Sequence, residues 1–279
     1  MSKLDRPQDD VLDGPIDGEA QLALALAAAR AGGEIVRAAF DQRDDVNAQV
    51  HAREKGPGDW VTAIDTASER AIRAVLTEGT PAFPVVGEEE GGERASLEWV
   101  VDPLDGTANF VHGFPVVGVS IALVCEGVPV VGVVLAPMLG DCYTARAGSG
   151  AQRNGTPLRV SARPVDRAIC ATGFPFRKQR AGLDEYLPVF HAALRSTEDL
   201  RRAGSASLDL AWTAAGVLDG YFERSLGPWD VAAGVLLVRE AGGVVTDWSG
   251  DDRDWYRSGD VVAGAPAVHA HLLTLTEHA

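Results

Sequence analysis

The sequence predicts a protein of mixed α+β and α/β class, and three patterns along its 279 residues support this class. An Ala/Leu-rich segment over 19–40 and a segment with helical spacing over Trp60–Leu76 predict two helices in the first half. Runs rich in β-branched residues over Val116–Val124 and Val128–Leu135 predict an antiparallel hairpin. After about residue 160, short apolar runs and helical segments alternate, which is typical of an α/β unit.

The order of these elements divides the chain into three parts. Residues 1–18 contain many Asp, Gly and Pro residues and few apolar ones, so we expect an acidic, disordered tail. Residues 19–160 form a predicted N-terminal α+β domain, and residues 161–279 form a predicted C-terminal α/β domain. No low-complexity linker separates the two domains, so we expect them to share a broad interface.

Short apolar runs predict further strands in the first domain. In the second domain, predicted strands alternate regularly with predicted helices. In the first domain, predicted strands over 82–86 and 99–101 end at acidic residues, and those over 142–146 and 158–160 flank a turn. In the second, Gly242-Gly243 ends a helix, because glycine readily adopts the left-handed conformation found at helix C-termini. The strands predicted there are 168–173, 220–223, 244–247 and 260–263, and the helices are 183–195, 205–215, 230–241 and 266–277.

The composition excludes several classes of protein. The 25 basic and 40 acidic residues give a formal net charge of −15, and direct nucleic-acid binding normally needs a basic surface. No segment approaches the roughly 18–20 uninterrupted apolar residues of a membrane span, so we expect no membrane association. The apolar run over 20–29 has an acidic flank rather than the basic flank of a signal peptide. We therefore expect a cytoplasmic protein.

The three cysteines, Cys125, Cys142 and Cys170, do not indicate a disulfide framework. Their number is odd and none lies in a C-x-x-C pair, which suggests a reducing compartment. Cys125 and Cys170 lie in apolar surroundings and are interpreted as packed thiols rather than nucleophiles.

Four carboxylates share one kind of sequence context, because each follows an apolar run or opens a helix: Glu88, Asp102, Asp105 and Asp230. Each has a purely structural alternative. Glu88 fits a solvated acidic loop, Asp102 and Asp105 fit turn positions, and Asp230 fits a helix N-cap. Crowded carboxylates need a neutralising group, so the four together favour a Mg²⁺ site.

The residues that follow Asp102 favour a phosphate beside the cation. Pro103 fixes its φ angle and lacks an N–H, which stiffens the link between Asp102 and Asp105. Gly106 allows a tight turn, and a helix that begins at Thr107 would direct N–H groups toward an anion. Thr107 has two interpretations, since its hydroxyl could cap this helix or hold an attacking water.

Four segments in order resemble the signature of the inositol monophosphatase family: Asp59–Asp65, Gly87–Glu89, Asp102–Phe110 and Trp229–Gly234. Each motif is weak alone, whereas the four in this order and spacing are specific for a superfamily of Mg²⁺-dependent, lithium-sensitive phosphatases. The resemblance runs from about residue 20 to the C-terminus. It implies a layered α-β-α-β-α sandwich of the inositol monophosphatase and fructose-1,6-bisphosphatase type.

The resemblance also implies which residues bind two to three Mg²⁺ ions per active site. Glu88, Asp102 and the backbone carbonyl of Leu104 would hold the first ion. Asp102, Asp105 and Asp230 would hold the second, and Glu88 would help to hold a third. The first domain would thus supply most of the metal ligands, and the second would supply Asp230.

Catalytic and substrate-binding residues follow from the same resemblance. Thr107, supported by Asp65, would orient a metal-activated water, and Glu88 would complete the catalytic set. The phosphate and the rest of the substrate would contact Asp105, Gly106, Thr107, Gly204, Ser205, Ala206 and Glu223. Two positions depart from the usual pattern, since Leu104 replaces a frequent Ile and Ala108 replaces a hydroxyl residue. His112 lies close in sequence, but Mg²⁺ prefers oxygen ligands.

The predicted activity is that of an inositol-phosphate phosphatase. It is the Mg²⁺-dependent hydrolysis of inositol monophosphate to inositol and phosphate, by in-line attack of the metal-activated water. Alternative substrates for the same chemistry are histidinol phosphate, fructose 1,6-bisphosphate, NADP and 3′-phosphoadenosine 5′-phosphate. An alternative of another class is a regulatory, partner-binding protein on the same fold. The resemblance further implies a homodimer that acts on a small phosphorylated polyol.

Overall fold

The computed structural model describes residues 17–42, 53–56, 59–175 and 182–276. The predicted tail over 1–18 therefore lies almost entirely outside the described residues. Its last two residues belong to the first helix, where Asp17 is the N-cap and accepts hydrogen bonds from the backbone N–H groups of Glu19 and Ala20. The division near residue 160 stays a prediction, although one large sheet lies on each side of it in the sequence.

The first part of the chain forms a largely antiparallel sheet with two long helices. Seven strands pair in the order β3-β4-β5-β6-β7-β8-β9, and only the β3–β4 pair is parallel. The predicted hairpin is confirmed as β5 and β6. The elements are α1 (Gly18–Asp41), β1 (Arg53–Gly56), β2 (Asp59–Val61), α2 (Ala63–Gly79), β3 (Val85–Gly87), β4 (Leu97–Asp105), α3 (Thr107–His112), β5 (Gly118–Cys125), β6 (Val128–Ala136), β7 (Asp141–Arg146), β8 (Ala151–Arg153) and β9 (Thr156–Pro157).

The second part forms a mixed five-stranded sheet with the order β11-β10-β12-β14-β13. Strand β10 pairs in parallel with β11 and β12, whereas β14 pairs antiparallel with β12 and β13. The predicted alternation of strands and helices is confirmed. The elements are β10 (Ile169–Thr172), α4 (Leu183–Ser196), β11 (Asp199–Arg201), α5 (Ala206–Ala214), β12 (Gly220–Glu223), α6 (Pro228–Glu240), β13 (Val244–Thr246), α7 (Trp255–Ser258), β14 (Val261–Gly264) and α8 (Pro266–Thr276).

Strand β6 shows how the first sheet becomes a layer between helices. A Cβ at Gly132 would lie 3.1 Å from the carbonyl oxygen of Ala233 in α6. Leu135 contacts Gly33 of α1 instead. Positions three apart on a strand point to opposite faces, so α1 and α6 cover opposite faces of the sheet. This two-sided burial explains why β6 is an almost continuous apolar run.

The second sheet is enclosed in the same way. On β12, a Cβ at Gly220 would lie 2.8 Å from side-chain atoms of Val268 and Leu272 in α8, while the neighbouring Tyr221 belongs to the core shared with the first sheet. Helices α5 and α6 contact strands of both sheets, and their residues are buried on nearly all sides. The predicted α-β-α-β-α sandwich is confirmed, with α5 and α6 as its middle layer.

The strand predicted over 158–160 is wrong, because β9 ends at Pro157. Several element boundaries also differ from the sequence prediction, and two of these differences have a clear local reason. The helix predicted from Trp60 begins at Ala63, because Thr62 caps it and Trp60 lies in β2. The strand predicted to end before Asp102 continues to Asp105, with an irregular register between these two aspartates. Among the described residues, none of the helices is both long and apolar enough to cross a membrane.

Candidate active site

A cavity of about 430 Å³ opens where the ends of β3 and β4 meet the beginnings of α5 and α6. It brings together residues from both halves of the chain. All of the predicted site residues except Asp65 line its wall: Glu88, Asp102, Leu104, Asp105, Gly106, Thr107, Gly204, Ser205, Ala206, Glu223 and Asp230.

Three buried aspartates form the centre of this cavity. Carboxylate oxygens of Asp102, Asp105 and Asp230 all lie within 4.8 Å of one another. Asp102 and Asp105 end strand β4, and the Oδ1 atom of Asp102 accepts a hydrogen bond of 3.0 Å from the backbone N–H of Leu104. Because Pro103 has no N–H, the ladder is interrupted between the two acids and both carboxylates reach the same side. Glu88 lies on the wall of the same cavity, outside this group of three.

Asp230 enters from the second half of the chain through the first turn of α6. Gly227 is the N-cap of this helix and Pro228 opens it, so Asp230 stands at the third helical position. Its Oδ2 atom accepts a hydrogen bond of 2.6 Å from the backbone N–H of Gly227. The alternative that Asp230 is itself the N-cap is therefore wrong, although its carboxylate does help to cap the helix. The hydroxyl of Ser120 in β5 donates to the Trp229 carbonyl at 3.0 Å and ties this turn to the first sheet.

Asp105 is held by the start of α5 across the interface between the two halves. Its Oδ2 atom accepts hydrogen bonds from the Ser205 hydroxyl at 2.7 Å, the Ser207 hydroxyl at 2.6 Å and the Ser207 backbone N–H at 2.7 Å. With Oδ2 occupied by three donors, Oδ1 is the oxygen left for the cavity. Burial, and then the charge of Asp230, raise the pKa of Asp105 against the effect of these hydrogen bonds. A bound cation would stabilise the ionised carboxylate of Asp105 and so oppose the rise in its pKa.

Thr107 and Asp65 form the predicted catalytic pair. The Thr107 hydroxyl lies 2.9 Å from Oδ1 of Asp65 and 3.1 Å from the Leu104 carbonyl oxygen. It has one proton, so it donates to one of them at a time. The Oδ2 atom of Asp65 accepts from the Thr62 hydroxyl at 2.5 Å and the Thr62 backbone N–H at 2.8 Å. Asp65 thus lies behind the wall of the cavity and orients the hydroxyl that faces it.

The backbone at Gly106 approaches two other segments closely. Its φ angle is +91°, and a Cβ there would lie 2.9 Å from the carbonyl oxygen of Val116. The side-chain amide of Asn109 lies within 2.7 Å of this oxygen and within 2.9 Å and 3.3 Å of the carbonyl oxygens of Ala203 and Gly204. The predicted phosphate loop is therefore fastened to the segment that leads into α5.

The loop that carries Glu88 is held by residues that were not predicted from the sequence. The buried carboxylate of Glu69 in α2 accepts hydrogen bonds from the backbone N–H groups of Glu89 at 2.8 Å and Glu90 at 3.0 Å. Arg73 donates to Glu69 at 2.8 Å and to the Val85 carbonyl at 2.8 Å. A signal was present in the sequence, because Asp65, Glu69 and Arg73 are spaced by four residues and share one face of a helix.

The opposite wall of the cavity contains two further acidic side chains, Glu223 and Asp209. The Tyr221 hydroxyl donates to Oε2 of Glu223 at 2.6 Å, and the Glu223 carboxylate packs where a side chain on Gly173 would stand. Asp209, in the first turn of α5, is a further cavity residue that was not predicted from the sequence. It was hidden by its setting in an otherwise apolar helix.

The cysteines take no part in this arrangement. Cys170 is buried in β10, and desolvation raises its pKa to about 12. Burial also raises the pKa values of Cys125 and Cys142. None of the three lines the cavity, and a thiol with a raised pKa is a poor nucleophile.

Comparison with known proteins identifies the relatives of this site. The family model of the inositol monophosphatase family matches residues 18–279. The chain belongs to the inositol monophosphatase family. Among curated relatives, Nus factor SuhB of Pseudomonas aeruginosa is 44% identical over 260 residues, which cover 91% of this chain and 94% of that protein.

Solved structures of family members share the fold. The extragenic suppressor protein suhB of Bartonella henselae is 37% identical, with a TM-score of 0.86 over 92% of this chain and 98% of the other. The inositol monophosphatase of Anabaena is 33% identical, with a TM-score of 0.82 over 94% and 97% of the two chains. Membership of the inositol monophosphatase family supports the interpretation that this protein is a phosphatase.

Proposed function

We propose that this protein hydrolyses phosphate monoesters in a Mg²⁺-dependent reaction and that inositol monophosphates are its preferred substrates. The observation that carries the proposal is the convergence of Asp102, Asp105 and Asp230, buried and within 4.8 Å of one another, beside the Thr107–Asp65 pair. A purely structural role does not explain three carboxylates brought together in a cavity, because their mutual repulsion and desolvation destabilise the fold.

The donor set suits Mg²⁺. All of the candidate ligands are oxygens, and Mg²⁺ takes oxygen ligands at about 2.1 Å, so two of its ligands lie at most roughly 4.2 Å apart. The spacing of the three aspartates allows this after small adjustments. Glu88, Asp102 and the Leu104 carbonyl would hold one ion, Asp102, Asp105 and Asp230 a second, and Glu88 would contribute to a third. The chemistry supplied by bound Mg²⁺ is Lewis acidity, which lowers the pKa of water and offsets phosphate charge.

The protein groups position the reactants. The Thr107 hydroxyl, when it donates to Asp65, keeps its lone pairs for a hydrogen bond from the attacking water. The backbone N–H groups of Gly106 and Thr107 would bind the phosphate oxygens. Ser205 and Ser207 fix the rotamer of Asp105, so this ligand does not have to reorganise during the reaction. Glu223 would bind substrate hydroxyls on the wall opposite the phosphate.

A substrate panel tests the proposal. Initial rates of phosphate release would be measured with inositol 1-phosphate, histidinol phosphate, fructose 1,6-bisphosphate, NADP and 3′-phosphoadenosine 5′-phosphate, each with Mg²⁺ and with excess chelator. We expect activity only with Mg²⁺ and the highest kcat/KM with inositol 1-phosphate. A large preference for another ester contradicts the substrate assignment, and no release from any ester contradicts the enzymatic function.

Lithium provides a separate prediction about the metal positions. We expect LiCl at millimolar concentrations to inhibit hydrolysis, by replacing Mg²⁺ at the site formed by Asp102, Asp105 and Asp230. Steady-state rates would be compared in LiCl and in KCl of equal ionic strength, so that screening of charge affects both equally. Undiminished activity in excess LiCl would contradict the proposed metal arrangement.

Glu69→Gln tests how the Glu88 loop is positioned. Both oxygens of Glu69 accept hydrogen bonds from N–H groups, so a glutamine must turn its own NH₂ toward a donor and release the loop. We expect the Mg²⁺ concentration for half-maximal activity to rise by roughly 10–100-fold, as is usual for residues that orient metal ligands. Glu78→Gln, an exposed change on the same helix, is the matched control. Equal Mg²⁺ activation curves for the two variants would show that Glu69 does not position the loop.

The names of the curated relatives favour a second candidate function. The Pseudomonas aeruginosa relative is named a Nus factor, so we propose that this chain also binds a transcription-factor partner. With a net charge of −15, direct contact would be with a protein rather than with RNA. The test is complementation of a Pseudomonas aeruginosa strain that lacks its own SuhB. Rescue by an Asp102→Asn variant supports a role separate from catalysis, and rescue by neither variant nor wild type contradicts the second function.

We further propose that the protein works in the cytoplasm as a homodimer, as the family resemblance implies. Sedimentation equilibrium of the full chain measures the mass directly. A particle of twice the 29.4 kDa chain mass is expected, and a monomer at micromolar concentration contradicts the proposal.

A further inference from the structure

Asp209 is a buried carboxyl group with one oxygen that has no hydrogen-bond partner among the described residues. It lies in the first turn of α5 and only 1% of its surface is exposed. Its Oδ1 atom has no hydrogen-bond partner among the residues that the structure describes. The side chain lines the cavity of the candidate active site. Buried polar groups in folded proteins nearly always have a partner, so this one calls for an explanation.

The charged groups around Asp209 do not explain why a carboxyl group is buried at this position. Burial raises its pKa most, and the nearby charges of Glu223 and Asp105 add to the effect, while Arg202 opposes it. Glu223 is held by the Tyr221 hydroxyl. The wall formed by Asp209, Tyr221 and Glu223, here called the acidic wall, thus places two carboxyl groups beside each other at the cavity. Such a wall destabilises the protein when nothing binds to it.

The chemistry of the acidic wall selects the kind of group that would bind. A hydroxyl group both donates and accepts hydrogen bonds, so it complements a carboxyl in either protonation state. A second phosphate would be repelled by the carboxylates of Glu223 and Asp209. An ammonium group would meet the guanidinium of Arg202, which lines the same cavity.

We propose that Asp209 is a specificity-determining residue that binds a hydroxyl group of a phosphorylated polyol and disfavours substrates with a second phosphate at this wall. The inference rests on the proposed phosphatase function and refines its substrate class. It assigns to α5 two tasks, since Ser205 and Ser207 hold Asp105 while Asp209, one turn further on, contacts the substrate.

The test compares two substrates and two variants. Asp209→Asn and Asp209→Ala would be assayed with Mg²⁺ on inositol 1-phosphate and on p-nitrophenyl phosphate, which lacks aliphatic hydroxyls. We expect Asp209→Ala to lower kcat/KM for inositol 1-phosphate roughly tenfold, mainly through KM, and to change that for p-nitrophenyl phosphate less than about twofold. We expect either variant to lower the ratio of kcat/KM for inositol 1-phosphate to kcat/KM for fructose 1,6-bisphosphate.

The matched control is Thr213→Ala in the same helix. Thr213 is buried, its hydroxyl donates to the Asp209 carbonyl at 2.8 Å, and it does not line the cavity. The Thr213→Ala substitution creates a comparable loss of packing. We expect it to leave unchanged the ratio of kcat/KM for inositol 1-phosphate to kcat/KM for p-nitrophenyl phosphate. If Asp209→Ala and Thr213→Ala affect both substrates alike, Asp209 acts through the fold and the proposal is wrong.

Thermal unfolding gives a second readout that is independent of activity. A buried carboxyl with an unpaired oxygen and acidic neighbours destabilises the substrate-free protein, so we expect Asp209→Asn to raise Tm by about 2–4 °C. A structural role predicts a lower Tm, and that result would overturn the proposal. If the Asp209 variants lose more kcat/KM with histidinol phosphate than with inositol 1-phosphate, the acidic wall binds an ammonium group instead. That result would also overturn the proposal. If wild-type protein releases no phosphate from either ester, it is the proposed function that fails, whatever the Tm values show.

Discussion

Asp102→Asn is expected to reduce Mg²⁺-dependent phosphate release by at least roughly 10³-fold. Asp102 is 1% exposed, ends β4 and stands within 4.8 Å of both Asp105 and Asp230. Under the proposed function it is shared by two Mg²⁺ positions. Asparagine keeps the shape but removes a negative charge from both positions at once, and its NH₂ group cannot bind a cation.

Thermal unfolding separates this loss from a loss of folding. Under the proposed function Mg²⁺ binds the native state only, so we expect it to raise the Tm of the wild type by an amount that grows with its affinity, and this increase should vanish in Asp102→Asn. Without Mg²⁺ the variant should be as stable as the wild type or more so, because one of three crowded buried carboxylates has been neutralised. Asp166→Asn, at an exposed position, is the matched control and should behave as the wild type. Activity and a Mg²⁺-dependent Tm that both survive in Asp102→Asn would contradict the metal assignment.

Thr107→Ala is expected to lower kcat by about 10²–10⁴-fold and to leave KM nearly unchanged. The hydroxyl is the group that links the cavity to Asp65, at 2.9 Å, whereas the backbone N–H proposed to bind phosphate is retained in alanine. Thr107→Ser keeps the hydroxyl and should retain activity within about tenfold of the wild type. The larger loss in alanine then reports the orientation of water rather than the binding of substrate.

Steady-state kinetics on inositol 1-phosphate at saturating Mg²⁺ measure both constants for the two variants. Asp65→Asn should resemble Thr107→Ala, because an amide can turn its NH₂ toward the hydroxyl and reverse the direction of their hydrogen bond. An increase in KM without a change in kcat would assign Thr107 to substrate binding alone. Equal activities of the serine and alanine variants would exclude a role for the hydroxyl.

Hydrogen bonds between the two halves of the chain explain why activity should depend on residues far apart in sequence. Asp105 at the end of β4 is fixed by Ser205 and Ser207 at the start of α5, and Ser120 in β5 holds the turn that carries Asp230. Neither half contains all of the proposed metal ligands. Separating the two halves would therefore separate the proposed metal ligands, even if both sheets stayed folded.

Much of this arrangement follows from local patterns in the sequence. Runs of β-branched residues located the hairpin of β5 and β6, and the alternation of strands with helices located the strand Gly220–Glu223. The boundary at Ala63 was missed because a threonine cap, rather than apolar spacing, decides where that helix begins. Strand β4 was predicted too short because its buried residues beyond Val101 include two acids.

The supporting residues were harder to predict than the candidate ligands. Glu69 lies on an apparently ordinary helix, and only the return of the chain after β3 shows that its carboxylate receives the N–H groups of the Glu88 loop. Asp209 stands among apolar residues of α5, and its position at the cavity depends on the packing of that helix between two sheets. Long-range contacts of this kind leave no periodic signal in a single sequence.

By itself, the sequence determined the class of the fold, the order of its elements and the oxygen-rich candidate ligands at Glu88, Asp102, Asp105 and Asp230, because each depends on residue type and short-range spacing. Only the tertiary structure decided that three of these carboxylates meet within 4.8 Å and that Ser207 and Glu69 hold the site in place. It alone showed a buried carboxyl at Asp209 facing the cavity. The physical reason is that the site is assembled by helices α5 and α6 packed between two sheets, so its geometry is set by contacts between residues more than 100 positions apart.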